Sequence, residues 1–259
     1  KIYSENENKA VVIKRALNKA LFSEFYSELT PKNSNLISSI NVFEGKNVIC
    51  EASMKNDKVN SISWHDELFF NEVTYVETPI LLQMNELISS ALTLFEIDGN
   101  RMIMPRPKVS LHTKDLISKM QNSQYYSPDD DSKELLNEIK RITKGEGFSF
   151  EKENRDFYFN KNKNTKFKSV NTATGLKSFG IIQLLIQANV LNERSLLIID
   201  EPEIHLHPKW QVEYAKLIVT LVKNNIPVLV TSHSPEIIQA LTIFSEKFGI
   251  QDRTNYYLA

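Results

Sequence analysis

The stretch SLLIIDEPEIHLHPKWQ, residues 195–211, decides how this chain folds. Its apolar run ends in the adjacent acids Asp200 and Glu201, which is typical of a buried parallel strand. Pro208 then opens an amphipathic helix, KWQVEYAKLIVTLVKN, and a second apolar run, PVLVTS, follows it. Strand, helix and strand predict a βαβ unit, and its parallel strands place Asp200, Glu201 and His233 at one edge of the sheet, where ligands bind.

The segments upstream of this unit predict an α/β fold with additions. Apolar spacing predicts a helix over residues 11–25, and alternating runs between residues 36 and 76, the last of them EVTYVE, predict antiparallel strands. Two polar helices are expected within residues 114–144, then three short strands and a buried helix, LKSFGIIQLLIQANVL. The prediction is therefore a helix-flanked sheet with an antiparallel β lobe and an inserted helical lobe, divided into residues 1–99, 100–165 and 166–259.

Composition limits the partners that the whole molecule can attract. The 31 basic and 32 acidic residues balance, so no global field draws the chain onto nucleic acid or an anionic membrane. No apolar run approaches the roughly 20 residues of a membrane helix, and the single cysteine fits a reducing compartment, so a cytoplasmic protein is expected. A predicted hairpin carries four lysines: Lys161, Lys163, Lys166 and Lys168. They could contact nucleic acid locally, but a hairpin surface exposed to solvent explains these lysines equally well.

Two acids at the end of an apolar strand suit metal-assisted hydrolysis. Asp200 is the candidate ligand of Mg²⁺, directly or through water, and Glu201 is the candidate general base that polarises an attacking water. Taken alone, the string IIDE fits equally well a buried strand that ends in solvated acids.

Two strings in this region resemble a known family. IIDEPEIHLHPKWQ and VLVTSHSPEII resemble the Walker B, D-loop and switch-histidine segments of ABC-type ATPases, in particular the RecF/SMC and OLD-like branch of the P-loop NTPases. The resemblance covers residue 172 to the end of the chain. It implies that ATP and Mg²⁺ are bound and that His233 contacts the γ-phosphate. A capping or core histidine is the alternative for that residue.

The string NTATGLKSFG, residues 171–180, resembles the signature motif of the same family. The resemblance implies that Thr174, Gly175 and Lys177 contact nucleotide held by a second subunit, through a helix N-terminus that favours anions. The second glycine of the motif is absent, and an ordinary capped helix start is the alternative. Gln83, in VETPILLQM, lies where the Q-loop of the family falls.

Two histidines after the acids allow a different interpretation. His205 and His207 alternate along the chain and could share a metal ion with Glu203. The resemblance instead places EIHLHP in the D-loop, which crosses the interface of a dimer.

The phosphate-binding loop departs from the family. The string G-x-x-x-x-G-K-[ST] does not occur in the sequence. SENENKA, residues 4–10, precedes the helix that resembles the one after a P-loop, and only Lys9 fits the pattern. Either residues were lost or altered at this junction, or the chain carries a natural pseudo-site that binds nucleotide poorly.

The resemblance implies an ATPase head that forms a homodimer around two nucleotides and switches a partner or effector protein, in DNA repair or anti-phage defence. The alternative is a non-hydrolysing assembly module that keeps the fold. The degraded P-loop favours the module, and the set Asp200, Glu201 and His233 favours the ATPase. No nuclease motif follows His233.

Overall fold

The computed structural model describes residues 9–25, 37–44, 46–64, 69–88 and 109–258, which fall into two compact units. The first unit ends at Phe69, with a short segment at 108–111, and the second takes in Phe70–Pro107 and His112–Ala259. This division differs from the three predicted segments, because residues 112–165 group with 166–259. Among the described residues no helix is long and apolar enough to cross a membrane.

The first unit combines one helix with a small antiparallel sheet. It contains α1 (Lys9–Phe25), β1 (Ser38–Glu44), β2 (Asn47–Lys55) and β3 (Lys58–Trp64), in the sheet order β1-β2-β3. Asn56 and Asp57 join β2 to β3 with φ of 52° and 59°, the left-handed backbone that a tight two-residue hairpin needs. Leu21 of α1 is buried with Ala52 and Met54 of β2, so the helix covers one face of the sheet. The predicted helix and these three antiparallel strands are confirmed.

The second unit holds the remaining elements, except that Leu111, the first residue of one helix, groups with the first unit. They are β4 (Glu72–Val76), a helix at residues 81–88, α2 (Leu111–Gln121), α3 (Asp130–Thr143), β5 (Gly147–Glu151), β6 (Asp156–Asn162), β7 (Thr165–Lys168), α4 (Thr174–Gln187), β8 (Ser195–Asp200), α5 (Pro208–Lys223), β9 (Val228–Thr231) and α6 (Pro235–Lys247). β5, β6 and β7 form an antiparallel sheet, and β4, β8 and β9 form a parallel one in the order β4-β8-β9. The predicted βαβ unit is therefore confirmed, as are the two polar helices and the three short strands.

One strand prediction is wrong. The run EVTYVE, expected to be antiparallel with its predecessors, forms β4 and pairs in parallel with β8, with Val76 opposite Ile199. Side-chain alternation shows that a strand has two unlike faces, but it carries no information about a partner far along the chain.

The core of the second unit lies around α4. Phe179, Ile182 and Leu185 of this helix are fully buried, as expected for a helix that is apolar on nearly all sides. The Phe179 ring meets the rings of Tyr214 and Trp210 on α5 edge to face, with centroids 5.1 and 5.6 Å apart. Such contacts fix α4 against α5, which connects β8 to β9.

Candidate functional site

Parallel pairing brings the ends of β8 and β9 together. Asp200, the last residue of β8, lies opposite Thr231, the last residue of β9. The backbone N–H of Glu201 donates to the carbonyl oxygen of Thr231 at 3.1 Å, which extends the pairing by one step. The acids predicted after the first strand and the histidine predicted after the second therefore meet at one edge of the sheet.

Both carboxylate oxygens of Asp200 accept hydrogen bonds from the neighbouring strands. The hydroxyl of Thr231 donates to Oδ1, and the hydroxyl of Tyr75 on β4 donates to Oδ2 at 3.0 Å. Burial, and then the bond to Asp200, raise the pKa of Tyr75 to about 12, so the phenol stays protonated and remains a donor. Asp200 is thus held across all three strands.

Glu201 leaves the strand in another direction. Its φ of 43° is left-handed, a conformation that costs a residue with a side chain about 1–2 kcal/mol. Its Oε1 lies 3.3 Å from Nε2 of His233. The side chains are 38% and 87% exposed, so this pair faces solvent, where a ligand can reach both.

A third acid, Glu203, holds the turn that carries His233. Its Oε1 accepts from the backbone N–H of His233 at 2.7 Å and of Ser234 at 3.0 Å, and its Oε2 accepts from the hydroxyl of Ser232 at 2.9 Å. Ser234 also caps α6 by accepting from the N–H of Ile237. The turn between β9 and α6 is therefore fixed by one carboxylate at one end and by a helix cap at the other.

The predicted signature residues open α4, but two of the three are inside the protein. Gly175 is buried, and a Cβ built on it would lie 2.7 Å from Cε3 of Trp210, so its missing side chain lets α5 approach. Lys177 is 1% exposed, and its ammonium donates to Oε1 of Gln83. Burial lowers the pKa of Lys177. Thr174 is half-buried at the start of the helix.

The start of α4 has no side-chain cap. Ala173 occupies the cap position and provides no side-chain hydrogen bond. The ordinary capped start is therefore not what the structure has. The N–H groups of Leu176 and Lys177 bond the carbonyl oxygen of Ala173, so those of Thr174 and Gly175 are the ones left to water or to an anion.

The remaining predicted residues are placed as follows. Gln83 is exposed on the helix at residues 81–88 and contacts Lys177, so two predicted nucleotide residues meet each other. Lys9 is the first residue of α1 in the first unit; its side chain and the predicted P-loop remnant before it lie outside the described residues.

A small cleft opens beside the end of β8. Its walls are Val76, Glu77, Thr78, Pro79, Ser178, Ile199, Asp200, Glu201, Pro202, Ile204 and Tyr214. Sequence reasoning missed the contribution of β4 to this wall, because it did not expect β4 beside β8.

Comparisons with known proteins identify the family of the chain. Residues 83–239 match the family described as "AAA domain, putative AbiEii toxin, Type IV TA system". The chain belongs to this family. A stretch of 57 residues is also 42% identical to the Septu protein PtuA of Bacillus thuringiensis. That alignment covers 21% of this chain and 13% of the relative, so the chain spans only a small part of that protein.

Membership of the AAA-domain family implies nucleotide binding, which usually involves Mg²⁺. No three His, Cys, Asp or Glu side chains gather into a metal cage anywhere in the described part of the chain. Mg²⁺ does not require one, since it is usually held by one or two carboxylates together with waters and substrate phosphates. The single carboxylate of Asp200 at the strand end fits that mode.

The rival interpretations find less support in the contacts. Glu203 uses its oxygens on the 232–234 turn, and Nδ1 of His207 accepts from the N–H of Lys209 and caps α5. Among the described residues these two side chains and His205 do not form a group that could hold a metal ion. In the lysine hairpin, Nζ of Lys166 lies 2.7 Å from Glu151, and Nζ of Lys168 lies 3.5 Å from Asp156. Lys161 donates to the carbonyl oxygen of Lys144.

Proposed function

We propose that this protein is an ABC-type ATPase head that binds and hydrolyses ATP, close in kind to the RecF/SMC and OLD-like branch. One observation carries the proposal. Asp200, Glu201 and His233 lie together at the carboxyl edge of β8 and β9, with Glu201 and His233 in contact at 3.3 Å and open to solvent. An assembly surface has no chemical need for this set, whereas phosphoryl transfer to water needs each member.

The three side chains have different roles in this proposal. Glu201 accepts the proton of the attacking water, and His233 donates a hydrogen bond to the γ-phosphate. Asp200, held by Tyr75 and Thr231, would hold the metal ion directly or through water. Mg²⁺, when bound, neutralises charge on the phosphates.

A second copy of the chain completes the site in this proposal. The start of α4 at Thr174, which has no side-chain cap, faces the nucleotide of the partner subunit and provides N–H donors for its phosphates. Gly175 supports this turn from inside the protein, where its missing side chain admits Trp210 of α5. Lys177, in the same first turn, forms a hydrogen-bonded pair with Gln83. Lys9 remains the proposed phosphate-binding lysine on sequence grounds alone.

The dimer is proposed to switch an effector protein in the cytoplasm, in anti-phage defence. A family named for a toxin of toxin–antitoxin systems and a stretch similar to a Septu protein support that setting. Direct contact with nucleic acid has weaker support, because three of the four hairpin lysines already have partners within the chain.

A non-hydrolysing assembly module is the second candidate. It is favoured by the absence of the G-x-x-x-x-G-K-[ST] string from the sequence. The two functions differ in the effect of changing Glu201. An ATPase would lose turnover, whereas a module that does not hydrolyse ATP would keep its assembly.

The test is binding and hydrolysis of Mg²⁺-ATP by this chain and by a form that includes any residues preceding it in its natural protein. Calorimetry measures binding, phosphate release measures turnover, and analytical ultracentrifugation measures dimer formation. We expect binding with ATP-dependent dimers, and Glu201→Gln should abolish turnover while the dimer persists. Glu246→Gln, the same change at an exposed position on α6, should change neither. Absence of binding in both forms would overturn the ATPase and leave the module.

A further inference from the structure

We infer that Glu203 is a positioning residue, whose carboxylate sets where His233 stands. The inference rests on the proposed function, since it assigns Glu203 a part in the same site. Glu203 follows the general-base candidate by two residues, and neither the family resemblance nor the comparisons gives its side chain a task.

The turn at residues 232–234 forms an anion-binding site, and the carboxylate of Glu203 occupies it. Three donors in successive residues converge on its two oxygens: the Ser232 hydroxyl and the N–H groups of His233 and Ser234, at 2.9, 2.7 and 3.0 Å. Consecutive N–H groups that point at one anion form a nest, which is a common way to hold negative charge. Bonds from N–H to a carboxylate are about twice as strong as those between neutral groups.

Glu203 is itself held firmly. The N–H of Ile204 donates to the carbonyl oxygen of Glu201 at 3.0 Å, and the N–H of Leu206 donates to that of Glu203 at 2.9 Å. The backbone around Glu203 is therefore a bonded turn that starts at the general-base candidate. Through the side chain of Glu203, this turn is tied to the turn that carries His233.

The consequence concerns His233, whose side chain is 87% exposed, so that little orients it beyond its contact with Glu201. The position of the imidazole therefore depends on the position of the His233 backbone. The N–H of that backbone donates to Glu203 at 2.7 Å. Removing the carboxylate leaves the N–H of His233 to water, leaves that of Ser234 with only the hydroxyl oxygen of Ser232 at 3.1 Å, and loosens the turn between Thr231 and the cap of α6. A displacement of about 1 Å at a reacting group can cost about 100-fold in rate.

The test compares Glu203→Ala, Glu203→Gln, His233→Ala and the double variant Glu203→Ala/His233→Ala. Glu203→Ala should lower kcat by about 10- to 100-fold with little change in KM. The conservative Glu203→Gln keeps an oxygen acceptor for the N–H groups and should restore most of kcat. Because Glu203 acts through His233, the double variant should be no slower than His233→Ala. Losses that multiply in the double variant would overturn the inference.

Glu236→Gln is the matched control. Glu236 contacts the hydroxyl of Ser234 in the same turn but does not bond the N–H of His233. It should leave kcat near that of the unaltered protein, and a loss equal to that of Glu203→Ala would overturn the assignment to Glu203.

A second measurement needs no turnover, so it separates this inference from the proposed ATPase. The amide protons of His233 and Ser234 should resonate downfield in the NMR spectrum and exchange slowly with solvent. In Glu203→Ala both properties should be lost at His233 and weakened at Ser234, whose N–H keeps the Ser232 hydroxyl as an acceptor, and both should be kept in Glu236→Gln. If ATP is not hydrolysed but the amide shifts behave in this way, the proposed function fails while the positioning contact stands. Unchanged amides in Glu203→Ala would overturn the contact itself.

Discussion

The glycine at the start of α4 gives the sharpest test of packing near the site. Gly175→Ala should gain about 0.5–1 kcal/mol from helix propensity, because glycine is a poor helix former. Its new methyl would lie 2.7 and 2.8 Å from two ring carbons of Trp210, and 3.2 Å from Leu206. Overpacking of this kind costs about 1–3 kcal/mol. The net expectation is a loss of up to about 2.5 kcal/mol in the free energy of unfolding, without nucleotide present.

The assay is urea unfolding followed by circular dichroism, in a double-mutant cycle with Trp210→Leu, which removes both clashing carbons. In that background Gly175→Ala should become neutral or stabilising, a coupling of about 1–3 kcal/mol. Gly180→Ala on the same helix is the control, since its methyl would meet Phe148 at 2.2 Å rather than Trp210. Its cost should be the same in both backgrounds. An equal cost of Gly175→Ala with and without Trp210 would refute the packing explanation.

Three further predictions follow from individual contacts. Tyr75→Phe keeps the ring but removes the donor to Asp200, so the free energy of unfolding should fall by about 1–2 kcal/mol in urea titrations. Lys177→Met removes a desolvated ammonium whose partner, Gln83, is exposed, so the free energy of unfolding should change by less than about 1 kcal/mol. A loss of ATP binding in this folded variant, measured by calorimetry, would assign Lys177 to the nucleotide site and not to stability. Hydrogen bonding to Arg141 lowers the pKa of Glu138 to about 2, from 4.5. Its stabilisation relative to Glu138→Gln should therefore be complete above pH about 4.5 and fade as pH falls towards 2, in unfolding curves at several pH values.

The βαβ unit could be predicted because its signals are local. The run SLLIID forms β8 with the bounds that the apolar pattern indicates, and the helix begins at Pro208 as expected. Parallel pairing then brings Asp200 and His233 to one edge, since the carboxyl ends of such strands meet there. Geometry of this kind follows from topology and needs no knowledge of side-chain packing.

The contacts that surround these residues could not be predicted. Tyr75 reaches Asp200 only because β4 pairs with β8, and no local pattern indicates a partner so distant along the chain. Spacing alone allows Glu203 to be a metal ligand, yet its oxygens accept from backbone N–H groups whose directions depend on the turn. The burial of Lys177 depends on the register of α4, which places this side chain inside the protein and not at the open start of the helix.

The two adjacent acids illustrate how one backbone step can separate the two roles proposed for them. Asp200 ends a strand with extended pairing, so its carboxylate lies between the hydroxyls of two neighbouring strands and is held at both oxygens. Glu201 adopts a left-handed backbone, which turns its carboxylate away from the sheet and towards His233 in solvent. A carboxylate that orients a metal must keep its direction, whereas a general base must remain open to water. The left-handed residue provides this difference between neighbours, and its conformational cost is consistent with strain retained at a functional position.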